Sequence, residues 1–412
     1  MLRPISRAAL FRLAGRLMST PARSPLPRRI LVLKPDHMGD VLLASPALYA
    51  LRQRHPRATI TLAVGPRGEE VARRLPAVDA VIVLPFPGLD PASQVGVLQR
   101  WLLLLRQARR WRGHFDAALL LRDDYYWGAM LLAAARIPIR LGVATPHCTP
   151  FLSRSVAKVA REPAAAQHLR VAEILSAEQP GPPGWTTTRR LRFAAHPVTA
   201  LASIREGAGM RAKEPYLLLH PGSGAAVKLW TAERWAAVLL EMHARVGLRT
   251  LVVAGEREHD LVAPIVRLAA SAAIGLSMAP DIDLLAALMG EARLVLGVDS
   301  GPLHLAAAVD VPSVRLYGPV DPLVYGPWAD PLRHRSVASN LLCAPCYRLH
   351  WDALALPWHP CVRHIAASDV VAAALAALEG QPTLDAGVQA VPPGDRSFTE
   401  APAEVYLLPP TQ

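Results

Sequence analysis

The stretch Arg293-Leu-Val-Leu-Gly-Val-Asp-Ser-Gly-Pro-Leu-His304 decides how the rest of the chain is read. An aliphatic run, Leu294 to Val298, stops abruptly at Asp299-Ser300-Gly301-Pro302, and an alanine-rich helix is predicted from Leu303 to Val309. Ser300 is a natural N-cap, and Pro302 suits a first helical turn, where its missing N–H would go unpaired anyway. Gly301 lets a ligand approach the backbone closely. A strand–turn–helix of this kind aims unpaired N–H groups and the positive end of the helix dipole at an anion. Asp299 is placed to meet ligand hydroxyls and His304 a phosphate. The competing reading is an ordinary βα turn of a parallel sheet with a capping serine.

The same rhythm extends on both sides. Upstream, Tyr216–His220 reads as a strand, Pro221-Gly-Ser-Gly224 as a glycine-rich turn, and Thr231 as the cap of a helix running to about Arg245. Thr250–Ala254 is a strand ending at Gly255-Glu-Arg-Glu258; downstream, Ser313–Tyr317 is another strand and Ser368–Leu378 a closing helix. An earlier set begins with the strand Arg28–Lys34, the turn Pro35-Asp-His-Met-Gly-Asp40 and a helix from Val41 to Arg54. It continues through strands at Thr59–Val64, Ala80–Leu84 and Ala117–Leu121, with Arg122-Asp-Asp-Tyr-Tyr126 at the last strand's carboxyl end. Strands alternating with helices imply right-handed βαβ units and parallel sheets. The fold class is therefore α/β, with two Rossmann-like domains whose parallel sheets face each other across a cleft, a common place for a nucleotide-linked ligand.

Periodicity fails between about Glu178 and Arg211, around the breaker cluster Gln179-Pro-Gly-Pro-Pro-Gly184. The expected organisation is a basic amphipathic leader over 1–27, a first domain over 28–205, a second over 206–380 and a disordered Pro-rich tail over 381–412. The leader carries Arg3, Arg7, Arg12, Arg16 and Arg23 and no acid. Arg12 and Arg16 interrupt any signal-peptide core, leaving a helix lying on an anionic membrane or a solvated segment. The location implied is cytoplasmic, possible also as a peripheral protein on the inner face of the inner membrane.

The 412 residues are 52% hydrophobic and carry a net charge of +12, so large cores and an anionic partner are both expected. No recognition-helix, zinc-finger or RNP signature favours nucleic acid, and no apolar run is long enough for a transmembrane helix. Four cysteines are too few for a disulfide scaffold in a chain of this size.

The glycine turn at 221–224 supplies N–H donors, and Lys228 adds a point charge, so phosphate is the ligand class implied. Neither a Walker A loop nor a dinucleotide fingerprint is present, which disfavours P-loop and nicotinamide chemistry. Asp40, at a helix N-terminus, is either a favourable helix charge or a base able to take a proton from an acceptor hydroxyl. Cys343-x2-Cys346 with Cys361-x2-His364 has the spacing of a small zinc site, but adjacent prolines and the lack of a supporting acid favour a structural cysteine cluster.

Four segments taken together are similar to the family-nine glycosyltransferases, the ADP-heptose:lipopolysaccharide heptosyltransferases and their relatives. They are KPDHMGDVLLASPAL (34–48), LLLHPGSGAAVKLWTAERWAAV (217–238), VDSGPLHLAAAVDVPSVRLYGPVDP (298–322) and CAPCY (343–347). The resemblance implies a GT-B fold whose closing helix packs back toward the first domain. It also implies a catalytic base at Asp40 and donor-binding residues at Ser223, Gly224, Lys228, Asp299, Ser300, Gly301 and His304. Glu256, or else Glu258, would bind the donor's ribose. The implied reaction is inverting and needs neither metal nor cofactor. It moves a sugar, heptose from ADP-heptose being the leading choice, onto a lipopolysaccharide core or related anionic lipid-linked glycan. A paralogue using another nucleotide sugar, or a non-catalytic nucleotide-sugar binding module, are the alternatives. The turn Pro35-Asp-His-Met and the cysteine-free stretch 347–360 depart from the heptosyltransferase pattern.

Overall fold

The structure, a computed structural model, describes residues 27–89, 96–175, 198–211, 213–255, 258–276, 280–352, 355–356 and 359–380. The leader up to residue 26, the breaker cluster at 179–184, the tail from 381, and Glu256 lie outside the described residues. Two compact units emerge. One takes the chain to Arg192 together with Leu323–Trp328, and the other takes Phe193–Pro322 and the chain from Ala329.

The first unit holds a six-stranded sheet of β1 (Arg29–Lys34), β2 (Thr59–Val64), β3 (Ala80–Val83), β4 (Ala117–Leu120), β5 (Ile139–Val143) and β6 (Arg154–Val156). All pairings are parallel, and the order is β3-β2-β1-β4-β5-β6. Its main helices are α1 (Met38–Arg54), α2 (Val97–Trp111), α3 (Tyr126–Ala134) and α4 (Ala164–Glu173); α1 packs on α4, and α2 on α3. Strands covered on both faces must be apolar throughout, which is why β1 and β4 read as continuous aliphatic runs.

The second unit repeats the plan with β7 (Tyr216–His220), β8 (Arg249–Val252), β9 (Ala273–Gly275), β10 (Leu294–Val298), β11 (Ser313–Tyr317) and β12 (His334–Ala338). The order is β12-β11-β10-β7-β8-β9, again parallel. Its main helices are α5 (Ala232–Val246), α6 (His259–Leu268), α7 (Ile282–Glu291), α8 (Gly301–Ala308) and α9 (Ala367–Glu379). In both units the chain winds outward from a central strand and then reverses, so the order switches between the first and fourth strands. Doubly wound sheets bind ligands at the carboxyl ends of the strands flanking that switch. Those strands are β1 and β4 in the first unit, and β7 and β10 in the second.

The closing helix contributes to the second unit's core. Val370, Val371, Ala374 and Ala377 of α9 are buried in the second unit's own core, beside Val362, Ile365, Val314 and Leu316. Their spacing makes one apolar stripe, and the sheet of the same unit covers it. Among the described residues no helix is long and apolar enough to cross a membrane.

Candidate active site

At the second unit's switch point, β7 ends in Pro221-Gly-Ser-Gly224 and β10 in Asp299-Ser300, and side chains join the two turns. Lys228 Nζ lies 2.6 Å from Asp299 Oδ2, and Ser223 Oγ donates to the Asp299 carbonyl at 3.2 Å. His304, one turn into α8, has Nε2 4.0 Å from Asp299 Oδ1. Behind it, Arg315 of β11 donates to His304 Nδ1 at 3.3 Å. A guanidinium has no acceptor, so Nδ1 is the bare nitrogen and the neutral ring carries its proton on Nε2. Burial, then Arg315 and Lys228, hold His304 well below its ordinary pKa. At neutral pH it is therefore an uncharged N–H donor.

α8 begins at Gly301, with Ser300 as its extended N-cap residue. Ser300 occupies the capping position but does not cap: its buried hydroxyl has no hydrogen-bond partner among the described residues. The helix N–H groups are thus left without a cap from this side chain. After the glycine turn the chain does not enter α5 directly, and Thr231 caps that helix as expected. A single 3-10 turn, Ala226–Lys228, intervenes, and α5 starts only at Ala232, where the Thr231 hydroxyl accepts from Arg234 N–H. Gly224 is exposed on that loop. Lys228, on the same loop, is paired with Asp299.

Glycine at two positions follows from close approach. A Cβ at Gly297 would stand 2.5 Å from the His220 carbonyl and 2.4 Å from Leu303 Cδ2, so β10, β7 and α8 could not pack. At Gly222 it would meet the Glu258 carboxylate at 2.1 Å. Glu258 accepts from Gly255 N–H at 3.2 Å and lies 3.8 Å from His220 Nε2. The structure therefore places this second ribose-binding candidate at the carboxyl ends of β7 and β8.

The first unit's switch point is ionic. Lys34, the last residue of β1, has Nζ 2.9 Å from Asp36 Oδ2 and donates to the Leu121 carbonyl at 3.1 Å. Arg122, just beyond β4, pairs with Asp36 and donates through Nε to Asp124 at 2.9 Å. Burial would raise the Asp36 carboxyl, but Lys34 and then Arg122 outweigh it and hold the group below the usual range. Asp40, in the first turn of α1, has the opposite fate: burial, then the Asp36 charge, push its carboxyl up. Two carboxyls on one turn are thus driven apart, one permanently ionised and one poised to take a proton. His168 of α4 is buried against α1, with Nδ1 3.2 Å from the Leu43 carbonyl. Burial and then Lys34 push its pKa down to about 3.

The cysteine spacing does not produce a metal centre among the described residues, where no group of three or more His, Cys, Asp or Glu is arranged to hold an ion. Cys343 and Cys346 are exposed, while Cys361 is buried with its thiol pushed up to about 11, chiefly by that burial. Its sulfur sits where a Cβ on Gly318 would come within 2.5 Å, a packing role.

Residues 104–350, more than half of the chain, match the profile of Glycosyltransferase family 9 (heptosyltransferase). The chain belongs to glycosyltransferase family 9. Like its family, it is a glycosyltransferase. Lipopolysaccharide heptosyltransferase 3 of Escherichia coli (strain K12) is 24% identical over 298 residues, covering 71% of this chain and 83% of that protein. Lipopolysaccharide heptosyltransferase 2 of Salmonella typhimurium is 22% identical over 336 residues, covering 76% and 88%. Among solved structures, a family 9 glycosyl transferase from Veillonella parvula superposes with a TM-score of 0.66 at 22% identity, covering 88% of this chain and all of that one (100%). E. coli ADP-heptose lps heptosyltransferase II superposes with a TM-score of 0.62 at 19% identity, covering 85% and 98%. The two doubly wound units are those of the GT-B fold.

In this family 9 chain the structure brings Ser223, Lys228, Asp299 and His304 into contact, with Ser300 and Gly301 at the adjoining helix start. Asp40 lies in the first unit. The roles of Asp36, Lys34, Arg122, His168 and Arg315 went unassigned in the sequence. Lys34 and Arg122 could have been found from their positions at strand ends. Arg315, inside a predicted strand, and His168 gave no signal in the sequence.

Proposed function

We propose that the chain is an inverting heptosyltransferase of lipopolysaccharide biosynthesis that carries heptose from ADP-heptose to a lipid-linked core acceptor, without a metal. Asp40 takes the proton from the acceptor hydroxyl. That oxygen bonds to the anomeric carbon as the bond from this carbon to the diphosphate oxygen breaks. Negative charge then grows on the leaving diphosphate, and Lys228, the N–H groups opening α8, Ser300 Oγ and His304 Nε2–H are the donors available to it. Removing one such preorganised donor typically costs about 3 kcal/mol of barrier. The carrying observation is the donor set at the start of α8: a buried serine hydroxyl without a partner among the described residues, beside a neutral histidine and a lysine paired with Asp299. The relatives' printed names supply the sugar and the acceptor class. An anionic membrane surface, where such an acceptor resides, is a further partner of this reading.

The test is Asp40→Asn with ADP-heptose and a lipopolysaccharide-core acceptor. ADP binding should persist while transfer falls by roughly 10²–10⁴-fold, the range for losing a general base. Transfer at the wild-type rate would remove Asp40 from that role. A thermal-shift series with ADP, GDP and UDP at equal concentration then identifies the base, since a ligand of the folded state raises stability by RT ln(1 + [L]/Kd).

A further inference from the structure

Helix α2 has two apolar faces, and folding uses one of them. Leu104, Ala108 and Trp111 are buried in the first unit's core. The other face exposes Leu98 (72%), Trp101 (47%), Leu102 (45%) and Leu105 (49%). Spaced i, i+3, i+4 and i+7, these four form a single stripe along the first half of the helix. Scattered exposed leucines are ordinary, but a contiguous apolar stripe containing a tryptophan marks an interaction surface. Arg106 and Arg109 are exposed along its border, and Arg110 and Arg112 are exposed at its end. Across residues 96–115 there are five arginines and no aspartate or glutamate.

Topology places the stripe at the working edge of the first unit. The helix leaves the carboxyl end of β3 and returns to the amino end of β4, so its first turns sit beside the strands' carboxyl ends. The indole N–H of Trp127 donates to the Arg100 carbonyl at 3.4 Å, and its ring meets Phe86 edge-on at 6.2 Å. Phe86 in turn lines a cavity with Asp36, His37, Arg67 and Arg122.

We propose that this face of α2 seats the chain on an anionic phospholipid bilayer. The helix lies in the interfacial plane, with Leu98, Trp101, Leu102 and Leu105 at the acyl boundary and Arg106 and Arg109 on lipid phosphates. It gives the membrane element of the reading above a site outside the leader, and its test needs no transfer activity. A second copy of the chain is a poor occupant: a self-complementary contact would set the same arginines against one another.

The experiment is co-sedimentation of the full chain with phosphatidylcholine vesicles, with and without phosphatidylglycerol. Two variants are compared, Leu98→Ser/Trp101→Ser/Leu105→Ser and Arg106→Gln/Arg109→Gln. All five positions are exposed, and unchanged melting checks the fold. The wild type should bind only the anionic vesicles. With each surface arginine worth roughly fivefold in partitioning, the charge variant should bind on the order of 25-fold more weakly. The apolar variant should lose about tenfold or more. Raising salt should weaken wild-type binding toward that of the charge variant and erase the difference between them. Wild-type binding by both variants overturns the proposal and assigns membrane contact to another part of the chain, such as residues 1–26. Failure of the wild type to bind anionic vesicles overturns it too, as does a dimer that the apolar variant dissociates while its vesicle binding is unchanged.

Discussion

Lys228 Nζ lies 2.6 Å from Asp299 Oδ2, an enclosed ion pair that ties the loop after β7 to the end of β10. Removing one partner of such a pair leaves the other charge stranded, at a cost of about 3 kcal/mol. An arriving diphosphate would compete with Asp299 for the same ammonium. Lys228→Met should therefore lower stability by about 2–4 kcal/mol and weaken ADP binding by roughly 10–100-fold, the worth of a hydrogen bond to a charged group. Adding Asp299→Asn should recover stability without recovering ADP affinity. Denaturant unfolding and calorimetry separate the two effects, and a double variant that binds ADP normally would exclude Lys228 as a phosphate partner.

Asp36 and Asp40 predict a pH profile. Burial and then the Asp36 charge raise the Asp40 carboxyl, and a base must be ionised to act. The acid limb of kcat/KM, which reports the free enzyme, should lie above the ordinary carboxylate range. Asp36→Asn removes a like charge and releases Lys34 and Arg122, both of which favour the Asp40 carboxylate. The limb should then move to lower pH. An unmoved limb would assign it to another group. The same raised pKa means that ionised Asp40 opposes folding above its unfolded pKa, so Asp40→Asn should be at least as stable as the wild type at neutral pH.

Much of this was legible from sequence because polar and glycine residues interrupt aliphatic runs at fixed places. Asp299-Ser-Gly-Pro after β10 and Pro-Gly-Ser-Gly after β7 stand out for that reason, and their contact follows once both strands are placed at the switch point. The Asp36–Arg122 pair spans 86 positions and depends on β1 lying beside β4, which strand order alone reveals. Arg315 was hidden in Ser-Val-Arg-Leu-Tyr, which reads only as a strand, and β11 is buried on both faces.

Gly297 offers a test of backbone proximity. A methyl there meets the His220 carbonyl at 2.5 Å as well as Leu303 Cδ2 at 2.4 Å. A leucine can change rotamer, but the carbonyl belongs to the neighbouring strand and has nowhere to go. Gly297→Ala should destabilise the chain by about 3 kcal/mol, the upper part of the range for overpacked cores. Leu303→Ala added to it should bring no rescue, because the strand contact persists. Melting curves of both variants decide the matter, and recovery in the double variant would show that Leu303 alone sets the limit.

His168 predicts how stability responds to acid. Its folded pKa is pushed down to about 3 by burial and then by Lys34, against an unfolded value near 6.5. A depressed folded pKa means that the unfolded chain binds the proton first. The stability His168 confers is therefore complete above about pH 6.5 and is lost as pH falls toward 3, at about 1.4 kcal/mol per unit. His304, also held below its ordinary value, adds a loss of the same sign. The wild type should thus unfold at lower urea concentration at pH 5 than at pH 7.5. Gln in place of His168 can still donate to the Leu43 carbonyl but cannot titrate, so His168→Gln should flatten the slope by about one proton. An unchanged slope would mean that His168 takes up its proton within the folded unit.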